Sequence, residues 1–284
     1  MNPVVWRARL CVLASGSSGN CSVLHICDGD GVERLVLIDA GLSPRRTHRA
    51  LGVLGVGGVG IAGIVLTHLD HDHWHSGWLN TLTTQTPVWC HGRHAERARA
   101  HSLDRLGLEV FDDSFSPWPG LMVEATLGGH DALGSALFRV DVPGATGCLG
   151  FATDLGRTHQ DITRFLAGVH TLAIESNYCP EMQDSSDRPR FLKDRITGGF
   201  GHLSNRQCAE AVRTIDPVSS VVLLHLSRQC NTPERAVLGH VGCPYEVIVS
   251  HAVNPTGWLV LGGGRGGGEA RKPHWAMATL FDGM

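Results

Sequence analysis

The chain has 284 residues, of which 42% are hydrophobic and 18% charged, which suffices for a sizeable core and excludes a largely disordered protein. Its formal net charge of −3 excludes binding to nucleic acid through an overall basic surface, so any such site has to be local. No apolar run reaches the ~18 residues of a membrane helix, and no secretory signal is recognisable at the start. We therefore expect a cytoplasmic protein without a membrane partner, whose nine cysteines are reduced and mostly buried.

The first half of the chain predicts short strands separated by tight turns. Ser43 followed by Pro44 predicts the start of a helix, because serine caps a helix and proline suits its first turn. A second helix is predicted over 93–106. Strands are predicted at 4–13, 21–26, 34–39, 61–67 and 88–90.

The second half of the chain predicts strands first and then strands that alternate with helices. The strands are predicted at 121–127, 135–142, 148–153, 171–175, 219–224, 245–249 and 257–261. The helices are predicted at 161–166, at 204–215 with Ser204 as the cap, and at 232–241. The polar segment 181–199 predicts an irregular surface insertion or a lid. We expect one α/β (α+β) domain over 1–261 and a flexible glycine-rich tail over 262–284.

The densest group of chemically active residues is the loop 67–77, which directly follows a predicted buried strand. A loop at the end of a strand holds ligands on a rigid edge, and imidazole and carboxylate groups suit zinc, manganese or iron. An alternative is a solvated loop with adventitious metal affinity. The preferred set of donors is His68, Asp70, Asp72 and His73. A second register is His71, His73 and His75, which lacks a following Asp–His pair.

Three further polar residues stand at the ends of predicted strands. They are His130, Asp154 and His225. A single histidine in such a position is more often structural than a metal ligand. Imidazole and carboxylate groups at several strand ends make these three residues candidates for the same metal site as the loop.

This ordered set of motifs resembles the metallo-β-lactamase superfamily and, within it, the YycJ/WalJ-like exonuclease branch. The loop is similar to the HxHxDH motif of the superfamily, with Asp70 in the place of the second histidine. The resemblance spans nearly all of 10–261 and implies a single-domain αββα sandwich with metals at one edge, between the sheets. The other matching stretches are LASGSSGNCSVL (13–24), LIDAGLS (37–43), GGHDA (128–132), FATDLG (151–156), ESN (175–177), GHLSN (201–205), HLSRQCNTPE (225–234) and PTGWL (255–259).

The resemblance implies two divalent metal ions, zinc or manganese, that activate a hydroxide for attack on a phosphodiester. By position, the first ion is held by His68, Asp70 and His130. The second ion is held by Asp72, His73 and His225, with Asp154 as the bridge. The carboxylate of Asp70 is a harder ligand than the imidazole it replaces. The first site therefore favours manganese or magnesium over zinc, or it is only weakly filled.

The leaving oxygen of such a reaction needs a proton, and His202 is the candidate general acid, with Glu175 to orient it. Asp72 belongs to the candidate catalytic residues as well as to the ligands. The alternative makes His202 an ordinary residue beside a helix cap and Glu175 a partner of a metal ligand. Asp39 is expected to support the ligand loop from behind without touching metal.

The candidate substrate-binding residues lie in two turns. Ser17, Ser18 and Asn20 form a glycine-flanked turn whose amides and hydroxyls grip a phosphate, unless it is a plain hairpin turn. Ser204 and Asn205, next to the candidate acid, are expected to contact substrate as well.

The leading hypothesis is a metal-dependent phosphodiesterase or nuclease that acts on DNA or RNA. The first alternative is a small-molecule hydrolase of the same fold, with a cyclic phosphate, a thioester or a lactone as substrate. The second alternative is a metal-binding protein without catalysis. It fits Asp70 and the pair Tyr178-Cys179, where the branch usually has a His–Asp pair.

Overall fold

The computed structural model describes residues 6–118, 120–143 and 147–262. Fourteen β-strands and seven α-helices lie in these ranges. The strands are β1 Arg7–Ala14, β2 Cys21–Cys27, β3 Glu33–Ile38, β4 Ile61–Leu66, β5 Pro87–His91, β6 Gly107–Phe111, β7 Ser114–Trp118, β8 Leu121–Gly128, β9 Ser135–Asp141, β10 Cys148–Ala152, β11 Thr171–Glu175, β12 Ser220–Leu224, β13 Glu246–Val249 and β14 Leu259–Leu261. The helices are α1 Pro44–Val53, α2 Ala95–Ala100, α3 Gln160–Phe165, α4 Pro180–Ser185, α5 Arg190–Thr197, α6 Asn205–Ile215 and α7 Pro233–Val237. Apart from Gly262, the predicted glycine-rich tail lies outside the described residues.

The strands form two sheets of seven, in the orders β14-β1-β2-β3-β4-β5-β6 and β13-β12-β11-β10-β9-β8-β7. Each sheet has an antiparallel half and a parallel half. In the first sheet, β3 to β6 run parallel, and in the second sheet β10 to β13 do. The carboxyl ends of parallel strands share one edge of a sheet, and ligands bind in the crevice outside that edge. The two parallel halves therefore bring several loops to one side of the molecule.

The hydrophobic core lies in three layers. The central layer fills the space between the sheets, with Leu10 and Val12 on one side and Phe138 and Phe151 on the other. A second layer packs α1 and its neighbours on the outer face of the first sheet, and a third packs α3, α6 and α7 on the outer face of the second. Strands covered on both faces are continuously apolar, as the fully buried β10 shows. The αββα sandwich predicted from the sequence is confirmed.

Two helix starts follow the local capping signals. Ser43 precedes α1 and its side chain accepts a hydrogen bond from the backbone N–H of Arg46, with Pro44 in the first turn. Ser204 precedes α6 in a reciprocal capping box with Gln207. Both helices begin where the sequence predicted.

The predicted helix over 93–106 is confirmed only in part, because it is not continuous. It consists of the six-residue α2 between two 3₁₀ turns, Gly92–His94 and Leu103–Arg105, and it is interrupted at Ser102, whose φ is 61°. The chain then forms β6 and β7, which the sequence analysis missed. These strands lie at the sheet edges, where mixed exposure leaves no clear alternation of apolar and polar residues to predict them from.

The segment 181–199 is also not irregular, because most of it forms α4 and α5. Pro180 is the first residue of α4, and Pro189 directly precedes α5. Helices of six and eight residues give too little periodicity to be recognised, and their stability comes from tertiary packing. The last predicted helix, over 232–241, is α7 followed by a 3₁₀ turn at Leu238–His240.

All nine cysteines are free thiols, and eight of them are buried, as expected from the sequence. In the described ranges, no helix is both long enough and apolar enough to cross a membrane.

We expect the Ser204→Ala variant to lose about 1 kcal/mol of unfolding free energy, because it removes the side chain that caps α6. Urea denaturation measures this loss. The matched control is Ser18→Ala, since Ser18 is exposed and has no side-chain hydrogen bond within the described part of the chain. Equal stability of the two variants would contradict the capping role of Ser204.

Candidate metal centre

The candidate site lies where the parallel strands of both sheets end. Asp39 follows β3, Asp154 lies two residues beyond β10, and His225 follows β12. All three have left-handed backbone conformations, with φ values of 59°, 54° and 56°. Such values are uncommon outside glycine and cluster at functional sites, where the surrounding structure maintains them. The backbone therefore adopts a strained conformation at three strand ends that border the candidate site.

The histidine-rich loop is seated on the turn after β3. Backbone N–H groups of His73 and Trp74 donate to the carbonyl oxygen of Asp70, which closes the loop into a tight turn. A Cβ atom on Gly41 would collide with the carbonyl oxygen of Asp72, so only glycine permits this approach. The backbone N–H of Asn20 donates to the same carbonyl at 2.7 Å. The turns that contain Gly41 and Asn20 therefore both fix the position of the histidine-rich loop.

One group of donors surrounds Asp70. Its Oδ2 lies 3.9 Å from Nε2 of His68 and 4.0 Å from Nε2 of His130. Nδ1 of His130 donates to the carbonyl oxygen of Gly201 at 3.0 Å, which leaves Nε2 as the nitrogen that faces the group. The Nε2 atom of His68 is buried and has no hydrogen-bond partner in the described structure. A buried polar atom without a partner is costly, and a metal ion would satisfy it.

A second group of donors surrounds Asp72 and Asp154. Nε2 of His225 lies 3.4 Å from Oδ2 of Asp72, and Nε2 of His73 lies 3.1 Å from Oδ2 of Asp154. Asp154 also approaches Nδ1 of His225 at 3.4 Å. The residues form four overlapping sets, and within each set the ligand atoms lie within 4.8 Å of one another. The sets are His68–Asp70–His130, His68–His73–Asp154, Asp72–His73–His225 and Asp154–Glu175–His202–His225.

The donor set fits divalent metal ions. Its atoms are imidazole nitrogens and carboxylate oxygens, which suit zinc and manganese. Most of the residues are buried, so their charges need compensation inside the protein. Every metal ligand predicted from the sequence belongs to one of the four sets. The structure therefore brings the predicted ligands together, while their individual roles stay predictions.

Asp39 lies behind the ligand loop, as expected. Its Oδ2 is 2.8 Å from Nδ1 of His73, and its carboxylate accepts hydrogen bonds from the backbone N–H and the hydroxyl of Thr67. Because Nδ1 of His73 is occupied, Nε2 is the nitrogen that faces Asp154. Asp39 therefore sets the orientation of a candidate ligand without reaching the donor cluster itself.

The alternative register of the histidine-rich loop is not assembled. The side chain of His71 is 90% exposed. His75 is exposed, and its Nδ1 accepts a hydrogen bond from the backbone N–H of Gly77. Neither histidine belongs to a donor group within the described residues.

Carboxylates control the protonation of the buried histidines. Burial lowers the pKa of His225, but Asp154, Asp72 and Glu175 outweigh burial and raise this pKa to about 10. Burial also lowers the pKa of His73, and Asp39 and Asp154 raise it well above the ordinary value. Without metal, both imidazoles therefore carry protons at neutral pH.

The pKa values of His68 and Asp154 shift in the opposite direction, below their ordinary values. Burial lowers the pKa of the His68 imidazole, and the neighbouring His73 lowers it further, well below the ordinary value. Burial raises the pKa of Asp154, but His225 and His73 outweigh burial and hold it well below the ordinary value. The centre thus presents an ionised carboxylate and a neutral imidazole that are both ready to bind a cation.

Glu175 joins the metal cluster to His202. It is fully buried, and its Oε1 lies 2.6 Å from Nδ1 of His202 and 3.2 Å from Nδ1 of His225. Its Oε2 accepts hydrogen bonds from the backbone N–H groups of Leu155 and Leu203. Burial raises the pKa of Glu175, but His202 outweighs burial and lowers it. Both predicted roles of Glu175 are therefore compatible, because it contacts the candidate acid and a candidate ligand at once.

Of the predicted substrate-binding turn, Ser17 and Ser18 are exposed, and Ser17 lines the cleft above the metal cluster. Asn20 is buried instead. Its Oδ1 accepts from the backbone N–H of Gly16, and its Nδ2 donates to Oδ2 of Asp72 at 3.2 Å. Asn20 therefore positions a candidate ligand, which corrects the expectation that it contacts substrate.

Ser204 and Asn205 are also buried. Ser204 caps α6, and Asn205 exchanges hydrogen bonds with the side chains of Ser176 and Asn231. These hydrogen bonds secure the start of α6 behind His202. Ser204 also lines a second cleft beside α6, and contact of Ser204 and Asn205 with substrate stays a prediction.

Three residues of the site were not singled out from the sequence. Nη1 of Arg97, on α2, lies 2.8 Å from Oδ1 of Asp70. Asn177 donates to the carbonyl oxygen of His225 at 2.7 Å and also contacts its ring. Arg188 lines the cleft. Asn177 stands in the quoted ESN stretch, but no local signal marks the two arginines, because only packing brings them to the site.

The donor cluster opens into a cleft of about 300 Å³, which we call the metal cleft. His202 is 21% exposed at its wall, so its ring reaches solvent while Glu175 behind it does not. The metal cleft is lined by residues that include Ser17, Asp70, Asp72, His130, Asp154, Asn177, Arg188, Arg195, His202 and His225.

We expect binding of zinc or manganese near pH 7 to release protons, about two per chain, because coordination requires neutral imidazoles. The raised pKa values mean that His73 and His225 hold protons that a metal ion must displace. Metal affinity should accordingly fall as the pH is lowered. Isothermal titration calorimetry in buffers of different ionisation enthalpy measures the release. A His71→Ala variant should behave like wild type, and zero proton release by wild type would contradict the assignment.

Comparisons with known proteins agree with this geometry. The family model described as "Beta-lactamase superfamily domain" matches residues 34–226, which contain all the candidate ligands. The exodeoxyribonuclease WalJ of Streptococcus pneumoniae is 27% identical over 239 residues, covering 79% of this chain and 84% of that protein. The exodeoxyribonuclease YycJ of Bacillus anthracis is 26% identical over 231 residues, with the same coverage.

A solved structure supports the fold. The metallo-β-lactamase fold protein YhfI from Bacillus subtilis superposes with a TM-score of 0.64 at 14% sequence identity, covering 88% of this chain and 98% of that one. At this identity the similarity concerns the fold alone. Because the family match covers more than half of the sequence, the chain belongs to the β-lactamase superfamily.

Proposed function

We propose that this protein is a metal-dependent phosphodiesterase that hydrolyses nucleic acid. The observation that carries the proposal is the junction of the buried donor cluster with the Glu175–His202 pair in one open cleft. A ligand cluster and a proton donor at the same wall are what phosphodiester hydrolysis requires. The relatives named exodeoxyribonucleases favour DNA as the substrate.

Two divalent ions, zinc or manganese, would activate water and offset the negative charge of the attacked phosphate when bound. Asp154 would supply a further carboxylate to the bound ions, since it shares donor sets with His68 and with His225. Asp70 would bind as a carboxylate whose other oxygen is held by Arg97. The first ion would be held by His68, Asp70 and His130, and the second by Asp72, His73 and His225.

His202 would donate the proton that the leaving oxygen needs when the phosphorus–oxygen bond breaks. Its Nδ1 is bonded to Glu175, so the proton for the leaving group would sit on Nε2. The buried Glu175 carboxylate, fixed by two backbone N–H groups, would hold this tautomer and stabilise the ring while it is protonated.

The residues that first suggested loss of catalysis do not disturb this arrangement. Asp70 occupies its donor position beside His68 and His130. Within the described residues Tyr178 belongs to none of the donor sets; it is buried and pairs through its backbone with Ser204. A non-catalytic role therefore has little support. A small-molecule hydrolase is the alternative that the metal cleft volume of about 300 Å³ favours, since this is at the lower end for ligand pockets.

We expect the Asp154→Asn variant to lose bound metal and to lose hydrolysis of the chromogenic diester bis(p-nitrophenyl) phosphate. Metal analysis by mass spectrometry and a colorimetric assay with added manganese or zinc measure both. The matched control is Asp131→Asn, because Asp131 lines the same metal cleft with a positive φ but belongs to no donor set in the described chain.

The outcome for wild type separates the three functions. Bound metal with diester hydrolysis supports the phosphodiesterase. Bound metal without hydrolysis of any diester would favour the small-molecule hydrolase. Neither bound metal nor activity under any addition would exclude catalysis by this cluster.

We expect His202→Ala to slow hydrolysis of an oligonucleotide by about 10²–10⁴-fold, which is the usual contribution of a general acid. The same variant should affect bis(p-nitrophenyl) phosphate far less, because p-nitrophenolate leaves without a proton. Steady-state rates on the two substrates measure the difference. An equal loss on both would show that His202 maintains the structure of the site and does not supply the proton.

A further inference from the structure

A second cleft, of about 570 Å³, adjoins the metal cleft, and we call it the basic cleft. It is formed by α4, α5 and the first turn of α6. We propose that the basic cleft binds the sugar–phosphate backbone of a single nucleic-acid strand next to the bond that is cut. This inference rests on the proposed function, because it assigns the substrate path of the same site. The basic cleft is lined by charged residues that include Asp184, Arg188, Arg190, Lys193, Asp194 and Arg206.

Positive charge exceeds negative charge in the basic cleft. Arg190 and Asp194 approach to 3.6 Å, but both are largely exposed, so this pair is weak and leaves the arginine available. Nζ of Lys193 donates to the backbone carbonyl of Asp184, a neutral group, and keeps its charge. In the described ranges no carboxylate lies within ion-pair distance of Arg206, which is exposed on α6. A chain with a net charge of −3 thus has the local basic region that nucleic-acid binding requires.

Arg188 connects the two clefts, because it lines both. Its guanidinium is held by three neutral acceptors, namely Gln229 at 3.1 Å, Gln183 at 3.1 Å and Ser227 at 3.2 Å. No carboxylate within the described part of the chain pairs with it, so its charge is fixed in place without being neutralised. Three of its five N–H groups are used, and the others stay available for phosphate oxygens.

The arrangement gives the strand a path. A strand with one phosphate at the donor cluster would pass Arg188, which lines both clefts, and its further phosphates would lie along α5. Arg190 and Lys193 are three residues apart and therefore lie on one face of that helix. Proteins that hold single strands regardless of base sequence use a positively charged groove that follows the backbone. Since the cationic side chains line a recess, we assign it to one strand.

The test compares two double variants that remove the same charge. Arg190→Ala/Lys193→Ala changes the basic cleft, while Arg45→Ala/Arg49→Ala changes exposed arginines on α1 that line neither cleft. Binding of a fluorescent oligothymidylate with phosphorothioate linkages is followed by anisotropy over a range of salt concentrations. Hydrolysis of bis(p-nitrophenyl) phosphate is measured on the same proteins.

We expect the basic-cleft variant to bind the oligonucleotide about tenfold more weakly or worse, and its dependence of log Kd on log salt to fall by about 1.4, which is about 0.7 for each lost phosphate contact. The α1 variant should bind like wild type. Both variants should hydrolyse the small diester at the wild-type rate, because neither changes the donor cluster.

Wild-type affinity and salt dependence in the basic-cleft variant would overturn the inference. An equal loss of binding in the α1 variant would also overturn it, because the effect would then reflect overall charge. Failure of the wild-type protein to hydrolyse the small diester would refute the proposed function instead. The binding measurement does not depend on hydrolysis, so it tests the basic cleft separately.

Discussion

The buried carboxylate of Glu175 is the constraint on which the site depends. A charge with no exposure to water is stable only when it is fully paired, and Glu175 meets this need with two backbone N–H groups and two imidazoles. These partners come from the loop after β10, the loop before α6 and the end of β12. One side chain at the end of β11 therefore aligns three loops of the second sheet, and the metal cluster and His202 take their relative positions from it.

The same principle applies to the donor cluster as a whole. Asp72, Asp154 and Glu175 place negative charge in a site that excludes most water, and the protonated His73 and His225 offset it in the metal-free protein. Metal ions would replace those protons, so positive charge would balance the carboxylates both with and without metal. The basic cleft lies beside the donor cluster and is exposed to solvent. This local positive charge would let a chain with a net charge of −3 bind a polyanion next to a cluster of carboxylates.

Local sequence determined much of the fold and the membership of the site. Buried strands such as β10 are continuous apolar runs, and Ser43 and Ser204 mark helix starts by capping chemistry that acts within one turn. The candidate ligands were also recognisable, because their order along the chain and their residue types resemble the motifs of the metallo-β-lactamase superfamily. The same resemblance, with the need for a proton donor, indicated Glu175 and His202 as a pair, and the structure places Oε1 of Glu175 2.6 Å from Nδ1 of His202.

Only the tertiary structure decided which side chains face the cleft and which are used behind it. Asn20, Ser204 and Asn205 stand beside site residues in sequence, yet packing buries them and uses their hydrogen bonds internally. Arg97 lies on α2 and Arg188 in the loop between α4 and α5, neither within a recognisable motif, and packing brings both to the site. Sequence by itself determined the residue types and the strand ends, because those depend on local chemistry. The tertiary structure decided exposure, register and neighbours, because those depend on contacts between segments far apart in the chain.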